Sequence, residues 1–468
     1  MCKPRIAVRH SEETAMRSCA LACLLAALAL PLLADTYTWT HQGGGSFSEL
    51  SNWTLSSTGE APAAAPGSGD AVVLPNASSP YTVTNSSAFS IGSLTVGGGA
   101  LSGAPTLDFH NGLSTNVVAG AVVVKAGAML THRVNNVRNV YYKLCLKCAS
   151  LTVEEGGAIS ADKKGYPSNL GVRTGTYGGV GGNSSNTTVR HCYGSIRYPM
   201  DIGATGGVNV NSVSGGVVYL EVSGAVVCDG TISAVSADND TYIGTGGSVL
   251  ILAATLTGSG TISAATGNSG TKNYAGGGGR VAVHLSEATS FDGFTGDITA
   301  DAGKTVAIQG NCSGAGTVYL EHAGDVAGQG TLIIDNRSTK PNAPTSPTSF
   351  DSEVTDRSEP FGTVKILNNA TLSLPEGATL TVTKRLETGS GGGALRCATG
   401  SAVVLAGSED AVIVGANSFY SLSCTVPGKK ISFGSGAANK TTIQEGGSLT
   451  LSSTTAQGSR FAPRTPQV

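Results

Sequence analysis

Gly230-Thr231-Ile232-Ser233-Ala234 returns 30 residues later as Gly260-Thr261-Ile262-Ser263-Ala264. The same phrase stands earlier as Gly157-Ala158-Ile159-Ser160-Ala161, and a close variant follows as Gly296-Asp297-Ile298-Thr299-Ala300. Around these phrases Tyr219, Leu250 and Val281 head similar apolar runs at steps of 31, with Val318 following at 37. A phrase that recurs without fixed length fits a solenoid, because insertions bulge from turns while the strands stay stacked. A propeller demands a tighter period with blade signatures, and a sandwich of this length would be unusual.

Working outward, short strands stopped by glycine recur along the whole chain, among them Ser93 to Val96, Leu151 to Glu154, Val217 to Val222 and Val281 to Leu285. In Thr379-Leu380-Thr381-Val382-Thr383 strict alternation sends Leu and Val to one face and three Thr to the other. Beyond residue 35 no stretch carries a helical period. Composition agrees: the 468 residues hold 66 Gly, 52 Ser and 50 Thr, types that disfavour helix. Charged residues are 13% and the formal charge is −2, so there is no basicity to hold a nucleic-acid backbone. The aliphatic content is too high for a disordered chain. Glycine lacks the three-residue period of collagen.

The expected fold is therefore all-β: a right-handed parallel β-helix, or β-solenoid, with an N-terminal Trp-containing cap and a smaller C-terminal β stack. Arg17 followed by the uncharged run Ser18 to Ala34 reads as a signal peptide over residues 1–34. Residues 35–75 hold both tryptophans, Trp39 and Trp53, and read as the cap region. The main β-helix is expected over 76–336 and a Pro/Ser/Thr-rich linker or loop over 337–362. A smaller β-solenoid segment follows over 363–455, then an irregular tail over 456–468. Glycine-dense stretches near 171–182, 203–216 and 276–279 read as loops packed along one side. After the leader no stretch approaches the length of a membrane-spanning helix.

Several of these stretches resemble a known group. The Trp-x-Gly-rich-Phe-x-Asn-Trp pattern, the Gly-x-Ile-Ser-Ala coils, Gly276 to Val283 and Gly316 to Glu321 are similar to glycine-rich secreted bacterial parallel β-helix proteins. The likeness is to adhesin-like, autotransporter-passenger-like surface proteins, here without a C-terminal membrane barrel. It implies a secreted or cell-surface location.

Chemistry is sparse. Adjacent acids in the expected mature chain occur only at Glu154-Glu155 and Glu409-Asp410, short of the facing pair a glycosidase needs. Asp238-Asn239-Asp240 is a calcium-like triplet whose Asp and Asn also suit a turn. Cys145 and Cys148 form a lone C-x-x-C among seven mature cysteines, and the set reads chiefly as small buried hydrophobes. Gly303-Lys304-Thr305 lacks the glycine spacing of a phosphate loop. His191-Cys192 reads as a loop pair. Arg133, Arg138, Lys143 and Lys147 follow one another without an acid, which suits a solvated coil face or contact with an anionic polysaccharide or membrane surface. Asn-x-Ser/Thr sequons begin at ten positions, including Asn52, Asn76, Asn85, Asn336 and Asn369.

No catalytic, cofactor-binding or metal-binding residue is assigned. The function expected is that of an exported structural or adhesive protein, displaying a rigid surface for weak multivalent binding to polysaccharide or to host or neighbouring cell surfaces. The alternative is a polysaccharide lyase or glycoside hydrolase of the β-helix type.

Overall fold

In the middle of the chain a turn lays down three short strands, and each pairs in parallel with its counterpart one turn on. Val217–Val222, Ala225–Cys228 and Thr231–Ser233 make one turn. Ser248–Ala253, Thr255–Thr257 and Thr261–Ser263 make the next and pair with them in that order. The computed structural model describes residues 34–167, 175–181, 191–205, 213–237, 243–267, 276–302, 313–337, 346–388, 392–415, 417–433 and 440–451. Nearly all of the leader and the tail, together with Asp238-Asn239-Asp240, Gly303-Lys304-Thr305 and Cys312, lie outside them. The described protein is all-β, with a short 3-10 helix at Leu50–Asn52. A mostly parallel 24-stranded sheet is joined by a second sheet of eight strands, an arrangement consistent with a β-solenoid.

The register explains the repeated phrase. Val83, Leu107, Leu130, Ile159, Ile232, Ile262 and Ile298 pair successively in the eight-stranded sheet. The first six are fully buried. The glycine of the phrase forms a column of its own. A Cβ on Gly230 would overlap the carbonyl oxygen of Gly157, one on Gly260 that of Gly230, and one on Gly296 that of Gly260. Only a residue without a side chain lets successive turns close to one strand spacing at this corner. On the long sheet, Val72, Leu94, Val122, Leu151, Val226 and Leu256 form an equivalent interior column.

The strands headed by Tyr219, Leu250, Val281 and Val318 pair in succession, but these four residues fall in two columns. Tyr219 pairs with Leu250, Leu250 with Ala282, and Ala282 with Tyr319, so Val281 and Val318 belong to the neighbouring column that holds Val218. Side chains alternate along a strand, so a one-residue slip exchanges inside for outside. Val281 faces the interior, whereas Ala282 and Tyr319 face the other way and join a second hydrophobic cluster with Phe350, Phe361 and Leu332.

The chain then turns back. Thr317–Glu321 meets Thr331–Asp335 in antiparallel register, Tyr319 opposite Leu332. Thr331–Asp335 pairs in parallel with Phe361–Leu367, and further parallel strands follow to Thr441–Leu451. The described part of the proline-containing stretch is packed: Thr348–Ser349 pairs with Leu372 and Ser373, and Phe350 and Val354 are buried. At the other end Trp39 and Trp53 are buried with their rings edge to face at 5.0 Å, and Tyr81 stacks on Trp39. Thr36–Trp39 pairs antiparallel with Trp53–Leu55 and parallel with Ala71–Leu74.

His132 ends a strand of the eight-stranded sheet and is completely buried. Its Nδ1 donates to the Arg133 carbonyl at 2.7 Å, and Nε2 accepts from the Val217 amide at 3.2 Å. Burial, helped by the charges of Lys164 and Lys143, pushes its pKa down to about 3 against an opposing pull from the Arg133 carbonyl. The neutral ring is the form the fold accepts, so stability is full above the ordinary histidine pKa and falls as acid protonates the unfolded chain. Urea midpoints should drop between pH 7 and pH 4 with a slope approaching about 1.4 kcal/mol per pH unit from this group. His132→Gln should remove that part of the slope, which parallel titrations of the two proteins would read.

Candidate functional site

Candidate chemistry falls into three places: the outward face of the long sheet, a concavity at the end of the eight-stranded sheet, and the loop 133–143. On the outward face, Lys147, Glu221, Leu252, His284 and Glu321 stand in one register row. Lys147 Nζ lies 2.6 Å from Glu221 Oε1, and Tyr219 donates to Oε2 at 3.1 Å. Tyr319 donates to Glu321 Oε2 at 2.6 Å, the Gly328 amide to Oε1 at 3.1 Å, and His284 Nδ1 stands 3.6 Å away. Burial alone would raise the Glu321 pKa, but these hydrogen bonds together hold it at about 2. Glu221 and Glu321 are three strand spacings apart, about 14 Å, beyond the roughly 5–9.5 Å that a pair of glycosidase carboxylates spans. Both are held as carboxylates that tie neighbouring strands.

The same face is covered by residues 191–202. Arg197 lies 4.1 Å from the Phe361 ring centroid and 5.2 Å from that of Tyr319. Its guanidinium donates to the carbonyls of Gly328, Asp356, Glu359 and Pro360 at 2.9–3.3 Å. Asp356 in turn accepts from Ser195, Ile196 and Arg197. His284 Nε2 donates to the Arg197 carbonyl at 2.8 Å, and Tyr198 stacks on the His284 ring at 4.7 Å. His191-Cys192 belongs to this fastening: the Cys192 amide donates to Asp351 at 2.8 Å, and Cys192 Sγ accepts from the Ser349 amide. Every group here is used to clamp the loop onto both stacks. None of Arg197, Tyr198, Asp351 or Asp356 was singled out from sequence. The repeated Val-Tyr-Leu-Glu of 218–221 and 318–321 was the one available signal.

The other candidates separate. Cys145 and Cys148 are three residues apart on Leu144–Val153, so they point to opposite faces and cannot share a metal. Cys145, Cys148, Cys192, Cys228, Cys397 and Cys424 are all buried and unpaired, and burial pushes the thiols of Cys148, Cys192 and Cys228 up to about 12. Glu154 pairs with Lys125 at 2.9 Å while Glu155 is exposed. Glu409 stands 3.7 Å from Lys384, and Asp410 accepts from the Lys430 amide. Asn52, Asn85 and Asn336 are buried, which leaves no room for a glycan in the folded protein; Asn76 and Asn369 are half-buried. Among the described residues no three His, Cys, Asp or Glu side chains gather as a metal-type cluster. No described helix is long and apolar enough to cross a membrane.

The concavity, of about 240 Å³, lies beside Asp297–Thr299, the last strand of the eight-stranded sheet. Its lining charges are largely engaged. Arg337 bonds Asp297 at 2.7 Å, and Asp335 accepts from the Arg337 amide and the Asn368 side chain.

The loop 133–143 is different, because two of its charges, Arg133 and Arg138, face solvent. It leaves Met129–His132 and returns at Leu144–Val153. Buried Asn135 ties its two ends: its amide nitrogen donates to the carbonyls of Tyr142 and Lys164, and its side-chain oxygen accepts from the Tyr142 amide at 2.6 Å. Asn139 occupies the left-handed region at φ 62°, a conformation asparagine tolerates at a loop tip. Arg133 and Arg138 are exposed, as are Val137, Val140 and Tyr141. The Arg133 guanidinium lies 5.6 Å from the Tyr142 ring centroid, and Tyr141 meets Tyr166 edge to face. Lys163 and Lys164 stand alongside, because Asn135 bonds the Lys164 carbonyl from both its backbone and its side chain. Of the basic run read from the sequence, Arg133 and Arg138 are presented here. Lys143 is turned to the Met200 carbonyl and Lys147 to Glu221.

Comparison with known proteins finds no match: no family model, no curated protein and no solved structure aligns with this chain.

Proposed function

We propose that the protein is an exported, adhesin-like β-helix that binds anionic polysaccharide at a cell surface and catalyses no reaction. In this reading the coil is right-handed, residues 1–34 direct export, and the Trp39–Trp53 cluster caps the first turn. The observation that supports it is the loop 133–143, a pre-tied, acid-free stretch offering Arg133, Arg138 and Tyr141 to solvent beside Lys163 and Lys164. Guanidinium groups match carboxylate and sulfate oxygens, and an exposed tyrosine gives a sugar ring an apolar face. Each contact is weak and screened by salt, so useful affinity comes from a polymer engaging many copies at once.

The test is retention on immobilised alginate and polygalacturonate, with dextran as the neutral control. Retention on the two acidic polymers should weaken as salt rises, and Arg133→Ser with Arg138→Ser should weaken it roughly tenfold at low salt. Equal binding by the double variant, or release of unsaturated or reducing ends from either polymer, would overturn the proposal.

A further inference from the structure

Four of the ten large apolar side chains exposed among the described residues gather at the loop 133–143: Leu113 at 55%, Val137 at 47%, Tyr141 at 41% and Val140 at 38%. The Val140 amide donates to the Val137 carbonyl at 3.3 Å, which folds the loop tip into a turn between the two valines. Leu113 is brought alongside because the Lys143 amide donates to the Gly112 carbonyl at 3.1 Å. A Cβ on Gly112 would lie 3.7 Å from the Tyr141 carbonyl oxygen. Single exposed apolar residues are ordinary, but four together on a tied loop mark a contact surface.

A plain uronate leaves part of this surface unused. Exposed Arg133 and Arg138 answer the charge of an acidic sugar, and Tyr141 answers one apolar ring face. Val137, Val140 and Leu113 then remain wet. The acids beside the loop are committed: Asp108 is bonded by His110 at 3.0 Å, and Asp162 accepts from the Val235 amide at 2.6 Å. The ligand that fits is anionic and carries small apolar substituents. A lipid surface matches less well, because Arg138 and Asn139 stand between the two valines at the tip. The most polar groups of the loop would have to enter hydrocarbon with them.

We propose that the loop 133–143, with Leu113, recognises acetylated acidic polysaccharide. Arg133 and Arg138 meet its carboxylates, while Val137, Val140 and Leu113 cover the methyl groups of its acetyl esters. An acetyl ester replaces a sugar hydroxyl with a methyl-bearing group, so burying it against these side chains gains what an unmodified uronate cannot supply. The inference rests on the polysaccharide reading of the loop and adds which polymers it prefers.

The test compares retention of the full chain on immobilised acetylated alginate and on the same material stripped of its acetyl groups by alkali. Wild-type retention should be on the order of tenfold stronger on the acetylated polymer at equal salt. Val137→Ser with Val140→Ser should bring the two retentions together by lowering the acetylated one, with circular dichroism unchanged. Equal wild-type retention on both polymers, or a preference that survives the two serines, would overturn this inference and leave the acidic-polysaccharide reading standing. Retention on neither polymer would overturn both. Binding to vesicles of phosphatidylglycerol and phosphatidylcholine that the two serines abolish would overturn it in favour of a lipid partner.

Discussion

Ile232→Asp should destabilise the protein by about 4–5 kcal/mol or more, whereas Thr231→Lys, one position away on the same strand, should shift stability by less than about 0.5 kcal/mol. Ile232 is the fifth of seven aliphatic residues in one column, with Ile159 below and Ile262 above, all three fully buried. A carboxylate there has no partner and must either remain charged in an apolar stack or take up a proton, and both cost heavily. Thr231 points outward between Ala158 and Thr261 and is only half-buried. In a solenoid each turn touches its neighbours alone, so the damage should be local at first. Hydrogen exchange should show the turns carrying Ile159, Ile232 and Ile262 losing protection before those carrying Val83 and Leu107. Urea titration followed by circular dichroism reads the stability difference, and equal loss in both variants, or a larger loss for Thr231→Lys, would contradict the assignment of Ile232 to the interior and Thr231 to the outside.

Arg197→Ala should cost roughly 3–5 kcal/mol, the range seen when one partner of a buried charged network is removed. Only 5% of the Arg197 side chain meets solvent. Its loss leaves the Gly328, Asp356, Glu359 and Pro360 carbonyls without their donor and uncovers the Phe361 and Tyr319 rings. Residues 191–202 join the outward face of the long sheet to the 350–361 stretch, and there this side chain and the Asp356 bonds work beside the Cys192–Asp351 bond and the Gly194–Val354 bridge. Limited proteolysis should therefore find new cleavage within 191–202 in the variant. Arg197→Lys should recover little, because one ammonium cannot reach four carbonyls set around a planar fork. Wild-type resistance to protease in either variant would contradict the assignment of a clamp.

Much of the architecture was legible because the interior of a solenoid writes itself into the sequence. The Ile of each Gly-x-Ile-Ser-Ala phrase stacks on the next, and the glycine ahead of it marks the corner where turns approach too closely for a Cβ. The spacing of the apolar runs did not show which residues stack, because Ser248–Ala253 is apolar on both faces. Alternation normally fixes register, but here the outward residues Leu250 and Ala282 are covered by other parts of the chain and look like core. The antiparallel turn-back at Thr331–Asp335 left no signal either, since a strand's residues are the same whichever way it runs. The basic run was visible as composition. Its division into Arg133 and Arg138 facing solvent, with Lys143 and Lys147 committed to Met200 and Glu221, depends on contacts 57 and 74 residues distant. Arg197 was invisible for the same reason: its partners lie more than 130 residues away in sequence.

Successive turns pile up in register, one strand spacing at a time. Thr82, Thr106, Met129, Ala158, Thr231, Thr261 and Asp297 form one outward column of the eight-stranded sheet. Nitroxide labels placed pairwise along it and read by pulsed electron paramagnetic resonance should give distances that rise linearly. The stack predicts about 19 Å between positions 82 and 231, four turns apart, and about 29 Å between 82 and 297, six turns apart. Separations that fail to grow with turn number, or that spread beyond about 40 Å, would contradict it.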